Sequence, residues 1–158
     1  MEELNRFLLA QESNEDNEQE NTSLRFNISH DSSYADALHE ILSGKKSGHW
    51  IWYIFPQIKG LGHSYRSHFY GINDAEEAKA YLAHPILGKR LREITSALLA
   101  LPSEKTARQI LGIIDAVKVK SCMTLFYMVS EEKLFMKVLE RFYDGQLDEK
   151  TIELLEKP

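Results

Sequence analysis

Leu87, Leu91, Ile94, Leu98 and Leu101 recur at intervals of four, three, four and three residues. That spacing draws one apolar stripe along a 3.6-residue helix and does not fit the two-residue alternation of a half-buried strand. Other stretches obey the same rule. Leu134, Phe135, Val138, Leu139 and Phe142 form a stripe that stops at Asp144 and Gly145, and Tyr34, Leu38, Ile41 and Leu42 form one that stops at Gly44. No Asn-Gly hairpin dipeptide and no internal repeat interrupts the pattern. The chain is therefore expected to be all-α, a compact single-domain fold of about seven to nine helices with little or no sheet.

Local signals place the helix ends. Ser33 with Asp36, and Asn73 with Glu76, have capping-box spacing, which predicts one helix from Ser33 to Gly44 and another from Asn73 through Leu82. His84 precedes Pro85, so His84 is biased away from helical geometry and Pro85 becomes the natural first helical residue of the leucine stripe. Residues 103–111 are expected to form a shorter helix stopped by Gly112, and residues 121–128 are apolar enough to be buried in either conformation. Ser130 with Lys133 opens the next helix, and Asp148 caps a last one running through Leu155. Near the N-terminus, Leu4, Phe7 and Leu8 fit a short amphipathic helix over residues 3–11.

Residues 13–23, SNEDNEQENTS, contain no apolar side chain and cannot recover their ordering entropy by burial. This divides the chain into an N-terminal helix of the domain (1–12), an acidic flexible insertion (13–31) and an all-helical core (32–158). The net charge is −5, and Glu12, Glu15, Asp16, Glu18 and Glu20 account for all of it. Without those five, 19 acidic side chains face 19 basic ones (24 less 5 against 19), so the body offers no basic stripe and no nucleic-acid partner is expected. The longest apolar run, residues 50–55, is far short of the roughly 20 residues of a membrane span, so no membrane partner is expected either. The first residues carry two glutamates and no basic region, which points away from a secretory signal and toward the cytoplasm. Cys122, the single cysteine, excludes an internal disulfide or a thiolate zinc cage.

Seven of the sixteen aromatic residues fall within the 21 positions from Trp50 to Tyr70. Residues 49–64, HWIWYIFPQIKGLGHS, fit either a strand or a helical face before Pro56 closes the segment. As core, Trp50, Tyr53, Ile54 and Phe69 would each bury a large area. A core has no need of KGLG, however, and a buried Gln57 would demand partners for its amide and carbonyl. Gly60 and Gly62 allow backbone N–H groups to turn toward an anion, Ser64 could cap a helix through Tyr70, and Lys59 and Arg66 add charge. With Trp50, Trp52 and Gln57 alongside, the composition suits an anionic small molecule, nucleotide-like or phosphorylated. The segment matches neither a P-loop nor a Rossmann fingerprint.

His49 and His84 are the candidate catalytic residues, as imidazoles that titrate near neutral pH; each also suits a plain hydrogen bond to the backbone. Lys118 and Ser121 are candidates for the polar lining of the same cavity, although Asp115 and Lys118, three apart, have the spacing of a surface ion pair. Cys122 reads as a small buried hydrophobe. His63 and His68 lie five apart, off a common helical face, so no metal site is expected; nor is a cofactor. The contrasting functional expectation is a non-enzymatic module that docks on another protein through its ring patch or its acidic insertion.

Four stretches taken in order carry a family resemblance: HWIWYIFPQIKGLGHS, YLAHPILGKRL (81–91), LGIIDAVKVKSCMTLF (111–126) and VLERFYDGQLDEKTIELL (138–155). Together they resemble the bacterial and fungal family known as domain of unknown function 1810, with LNRFLLAQ (4–11) similar to its opening helix. The resemblance implies a largely helical fold and no particular activity, ligand or catalytic residue. Some relatives carry the label calpastatin, an inhibitor that works through long disordered repeats rather than one folded domain. Two departures stand out: the acidic stretch after Gln11, and Cys122 where relatives usually have serine.

Overall fold

The computed structural model describes residues 2–12 and 32–157; the segment read as an acidic insertion lies outside the described residues. A short 3-10 turn, Glu2–Leu4, leads into α1 (Asn5–Gln11). Then come α2 (Tyr34–Leu42), α3 (Ile51–Ile54), α4 (Tyr65–Phe69), α5 (Ala75–Ala83) and α6 (Leu87–Leu99). The chain finishes with α7 (Ala107–Leu111), α8 (Ile113–Ser130), α9 (Lys133–Tyr143) and α10 (Glu149–Glu156). Among the described residues there are ten α-helices and no strand; one isolated parallel bridge joins Ile58 to Ile72. Among the described residues, no helix is long and apolar enough to cross a membrane.

The 18-residue helix α8 is the axis of the fold and packs against α3, α5, α7, α9 and α10. Six consecutive residues of α8, Ser121 to Phe126, are buried, so this stretch is surrounded on all sides. A second layer forms where α6 meets α2, α5 and α9. Phe7 of α1 is fully buried against Tyr81, ring edge to face at 5.1 Å, which fastens the N-terminal helix into the same core.

Most helix ends obey the sequence rules, and the departures have physical causes. Ser33 and Asp36 form the predicted capping box. At α5 the cap is Asp74 rather than Asn73: its carboxylate accepts from the Glu77 N–H at 2.9 Å, while Glu77 accepts from the Asn73 N–H at 2.9 Å. The register moves by one because Glu77, drawn to Arg6 at 2.9 Å, is the residue that folds back. The helix expected over 103–111 starts only at Ala107, where Thr106 and Gln109 supply a stronger reciprocal cap than Ser103 could. Gly112 stops α7 as expected, but at φ 88° it also turns the chain directly into α8, which begins eight residues before the buried stretch that marked it. Phe69 is 41% exposed and is not core, because α4 is a five-residue surface helix with no buried residue.

Candidate functional site

Two backbone hydrogen bonds anchor the glycine-containing loop. Lys59 N–H donates to Ile72 O and Ile72 N–H donates to Gln57 O, both at 2.8 Å, so the chain returns on itself beside α5. Between these anchors and α4 the loop is pressed inward: a side chain at Gly62 would meet Ser67 Oγ at 2.8 Å. Ser64 caps α4, accepting from the Ser67 N–H at 3.1 Å. Facing the loop is the N-terminal half of α8. Its Ile113, Ile114 and Val117 are 61%, 71% and 61% exposed, unusual for three aliphatic residues on one helix.

The space between loop and helix is a groove of about 440 Å³. Gln57, Leu61, Gly62 and Ser67 line one wall and Ile113, Ile114, Val117, Lys118 and Ser121 the other, with Asp148 at the margin. A small recess with Trp52, Ile58 and Tyr70 in its walls adjoins it and shares Gln57, Leu61, Gly62 and Ser67. The volume lies in the range of ordinary small-molecule clefts.

Cations dominate the electrostatics here. Lys118 Nζ lies 4.6 Å from the centroid of the half-buried Trp52 ring, and the Arg66 guanidinium lies 5.2 Å from it. Asp115 stands between two ammonium groups, 2.7 Å from Lys46 and 3.7 Å from Lys118, so the trio carries one positive charge in excess. Lys46 in turn lies over Trp50 at 4.8 Å. Ser121 Oγ donates to Asp148 at 3.0 Å, and the same carboxylate oxygen caps α10 by accepting from the Thr151 N–H. The serine proton is therefore directed at Asp148 rather than at Lys118.

Other predicted residues sit elsewhere. Trp50 is fully buried, its indole N–H donating to Glu40 at 2.9 Å. Burial raises the Glu40 carboxyl, but donation from the Gly48 and Ser47 N–H groups and from Trp50, together with the nearby Lys46 charge, outweighs it and holds Glu40 below the usual carboxylate range. His49 is exposed, and its carbonyl accepts from Tyr53 Oη at 3.4 Å. The Nδ1 atom of His84 accepts from the N–H groups of Ile86 and Leu87 at 3.1 and 3.2 Å, so His84 caps the start of α6. Gly60, at φ 110°, lies over Leu154.

Trp52, Gln57, Gly62, Lys118 and Ser121 thus meet at the groove and its adjoining recess, whereas His49, Trp50, Gly60, Ser64 and His84 line neither. The aliphatic lip of Ile113, Ile114 and Val117 escaped sequence reasoning, since apolar residues at helical spacing are ordinarily assigned to a core. Gly112 just before them was the available signal: a helix restarting after a sharp turn presents its first turn outward. Among the described residues, no three His, Cys, Asp or Glu side chains converge on a common point.

Comparison with solved structures finds the conserved hypothetical protein Rv1873 from Mycobacterium tuberculosis, at 33% identity and a TM-score of 0.82, with 99% of this chain and 98% of that one covered. No curated protein matches the sequence. Residues 1–155 match the family described as protein of unknown function DUF1810. The four ordered motifs, the helical architecture and the end-to-end correspondence agree, and the chain belongs to the DUF1810 family.

Proposed function

We propose that the groove between segment 57–64 and the N-terminal half of α8 binds a small anionic molecule of the nucleotide-like or phosphorylated class. The observation that carries this reading is the meeting of Lys118 with Gln57 and Trp52, drawn from two separate parts of the chain, at one concave surface and its adjoining recess. An ammonium over an aromatic ring is partly desolvated, which strengthens its attraction for an anion relative to a fully hydrated lysine. The reading is of binding without chemistry. His84 already serves as a helix cap, His49 lies off the groove and Ser121 is tied to Asp148.

Thermal-shift titration with AMP, ADP, ADP-ribose and glucose 6-phosphate tests it. At least one should raise the melting temperature of the wild type, Lys118→Ala and Gln57→Ala should weaken the effect, and His49→Ala should leave it intact. Equal stabilisation of Lys118→Ala and wild type, or no stabilisation by any probe, would refute the proposal.

A second reading, a non-enzymatic module that docks on protein, is favoured by the exposed Ile113, Ile114 and Val117. It expects concentration-dependent association in light scattering that Ile114→Ser abolishes, a result the small-molecule reading does not produce.

A further inference from the structure

We infer that the ligand of this groove carries an ammonium group as well as its phosphate, an amine-bearing phosphate ester of the amino-sugar phosphate type. This narrows the phosphorylated class proposed above and rests on that reading. The walls hold one cation and one anion, Lys118 and Asp148, and are otherwise uncharged. A plain phosphate dianion is attracted by the first and repelled by the second. An ammonium on the same molecule turns that repulsion into a second attraction and still leaves the ligand a net anion.

Asp148 has the free acceptor that such an ammonium needs. Its Oδ2 atom accepts from Ser121 Oγ at 3.0 Å, from the Thr151 N–H at 3.2 Å and from Thr151 Oγ1, whereas Oδ1 takes no hydrogen bond among the described residues. Lys120 and Lys150 share a neighbouring hollow with Asp148, but among the described residues neither forms an ion pair with it, and Lys150 is paired with Glu153 at 3.9 Å. The half-buried carboxylate thus has no cation of its own. Lys118, for its part, has Asp115 at 3.7 Å, a carboxylate that Lys46 holds more closely, at 2.7 Å.

The spacing of the two charges sets the size of the ligand. Lys118 Nζ leans back toward Asp115, and Asp148 meets α8 at Ser121, so the charges are separated by three to six residues of helix (121 less 118, or less 115), about 5 to 9 Å at 1.5 Å per residue. A pyranose ring with its exocyclic carbon spans that interval. It sets the phosphate of an amino-sugar 6-phosphate beside Lys118 and Gln57 and the ammonium beside Asp148, and the C–H faces of the ring suit the aliphatic wall between them.

Isothermal titration with glucose 6-phosphate, glucosamine 6-phosphate and N-acetylglucosamine 6-phosphate, which differ only in the substituent on C2, tests this, with glucosamine as the phosphate-free control. Glucosamine 6-phosphate should bind about fivefold more tightly than the other two, as a well-placed, partly exposed ion pair gives. Asp148→Asn should reduce that preference to about one; asparagine is as good an N-cap as aspartate, so α10 keeps its start. Lys118→Gln should weaken all three sugar phosphates. The inference is overturned if glucosamine 6-phosphate binds no more tightly than glucose 6-phosphate, if the N-acetyl sugar matches it, if the preference survives Asp148→Asn, or if glucosamine alone binds as tightly as its phosphate. The comparison of the three sugars on the wild type decides the matter even if Asp148→Asn does not fold. Should all three bind alike and Lys118→Gln weaken them, the inference falls and the anion site stands. The same holds if AMP, ADP or ADP-ribose binds in a Lys118-dependent way while no sugar phosphate binds. Should no probe of either set bind, both fall.

Discussion

The Arg6 guanidinium meets the Glu77 carboxylate at 2.9 Å across 71 residues of sequence, with the two side chains only 12% and 8% exposed. Arg6 also donates to the carbonyls of Phe69, at 2.8 Å, and Gly71, at 2.9 Å, so one side chain ties α1 to the end of α4 and the start of α5. Burial raises the Glu77 carboxyl, but the Arg6 hydrogen bond, the Asn73 N–H and the Arg6 charge outweigh it and hold Glu77 below its ordinary value of 4.5. A depressed native carboxylate contributes stability that is fully present above the unfolded value and lost as pH falls through the native one. Arg6→Ala should therefore cost roughly 3 kcal/mol near neutrality, because it strands a buried charge, and the gap to wild type should narrow below about pH 4. Urea unfolding from pH 3 to pH 8 measures it; a gap independent of pH would show that the pair does not govern the acid response.

Glu40 accepts from the Trp50 indole at 2.9 Å and from the Ser47 and Gly48 N–H groups at 2.7 and 2.8 Å, closing the loop that leads into α3. Glu40→Ala leaves those donors without their carboxylate and should cost about 2 kcal/mol. Trp50→Phe removes one of them, so the double variant should lose less than the sum of the single losses. Strict additivity in chemical denaturation would contradict the coupling.

His84→Ala should destabilise the protein by about 1 kcal/mol, the usual value of an N-terminal side-chain cap. His84→Asn, which can still accept from the backbone, should recover part of that. Neither variant should change the anion binding proposed for the groove. A selective loss of ligand binding with unchanged stability would instead place His84 at the site.

Cys122 is fully buried, and burial pushes its thiol well above the ordinary value of 9.0. Its reaction with a disulfide reagent should be at least tenfold slower in the native protein than in denaturant and should accelerate with sub-denaturing urea, because the thiolate forms only on opening. Fast labelling under native conditions would mean that the central stretch of α8 is open to solvent.

Helix identity was readable from single stretches because it depends on near neighbours. The leucine stripe of α6, the Ser33 box and the Asp148 cap each involve residues within four positions of one another, and each lies where its spacing indicates. Where a distant residue intervened, local reading failed. Arg6 pulls Glu77 and shifts the α5 cap by one.

The candidate site divides along the same line. Trp52, Gln57 and Gly62 could be picked out as a loop with surplus polarity among rings, and Lys118 and Ser121 as polar positions on an apolar helix. Chemistry visible in a side chain does not say where that side chain points, so His49 and His84 read as equals of Gln57 although one lies off the groove and the other caps a helix.

What the amino-acid order settled by itself was helical character, many of the helix ends and family, because hydrophobic period, capping chemistry and motif order are written within short windows. Which face of α8 stays open was decided only in three dimensions. Ile113, Ile114 and Val117 are as apolar as any core residue, and their exposure follows from the glycine loop standing off from α8 and leaving a groove between them.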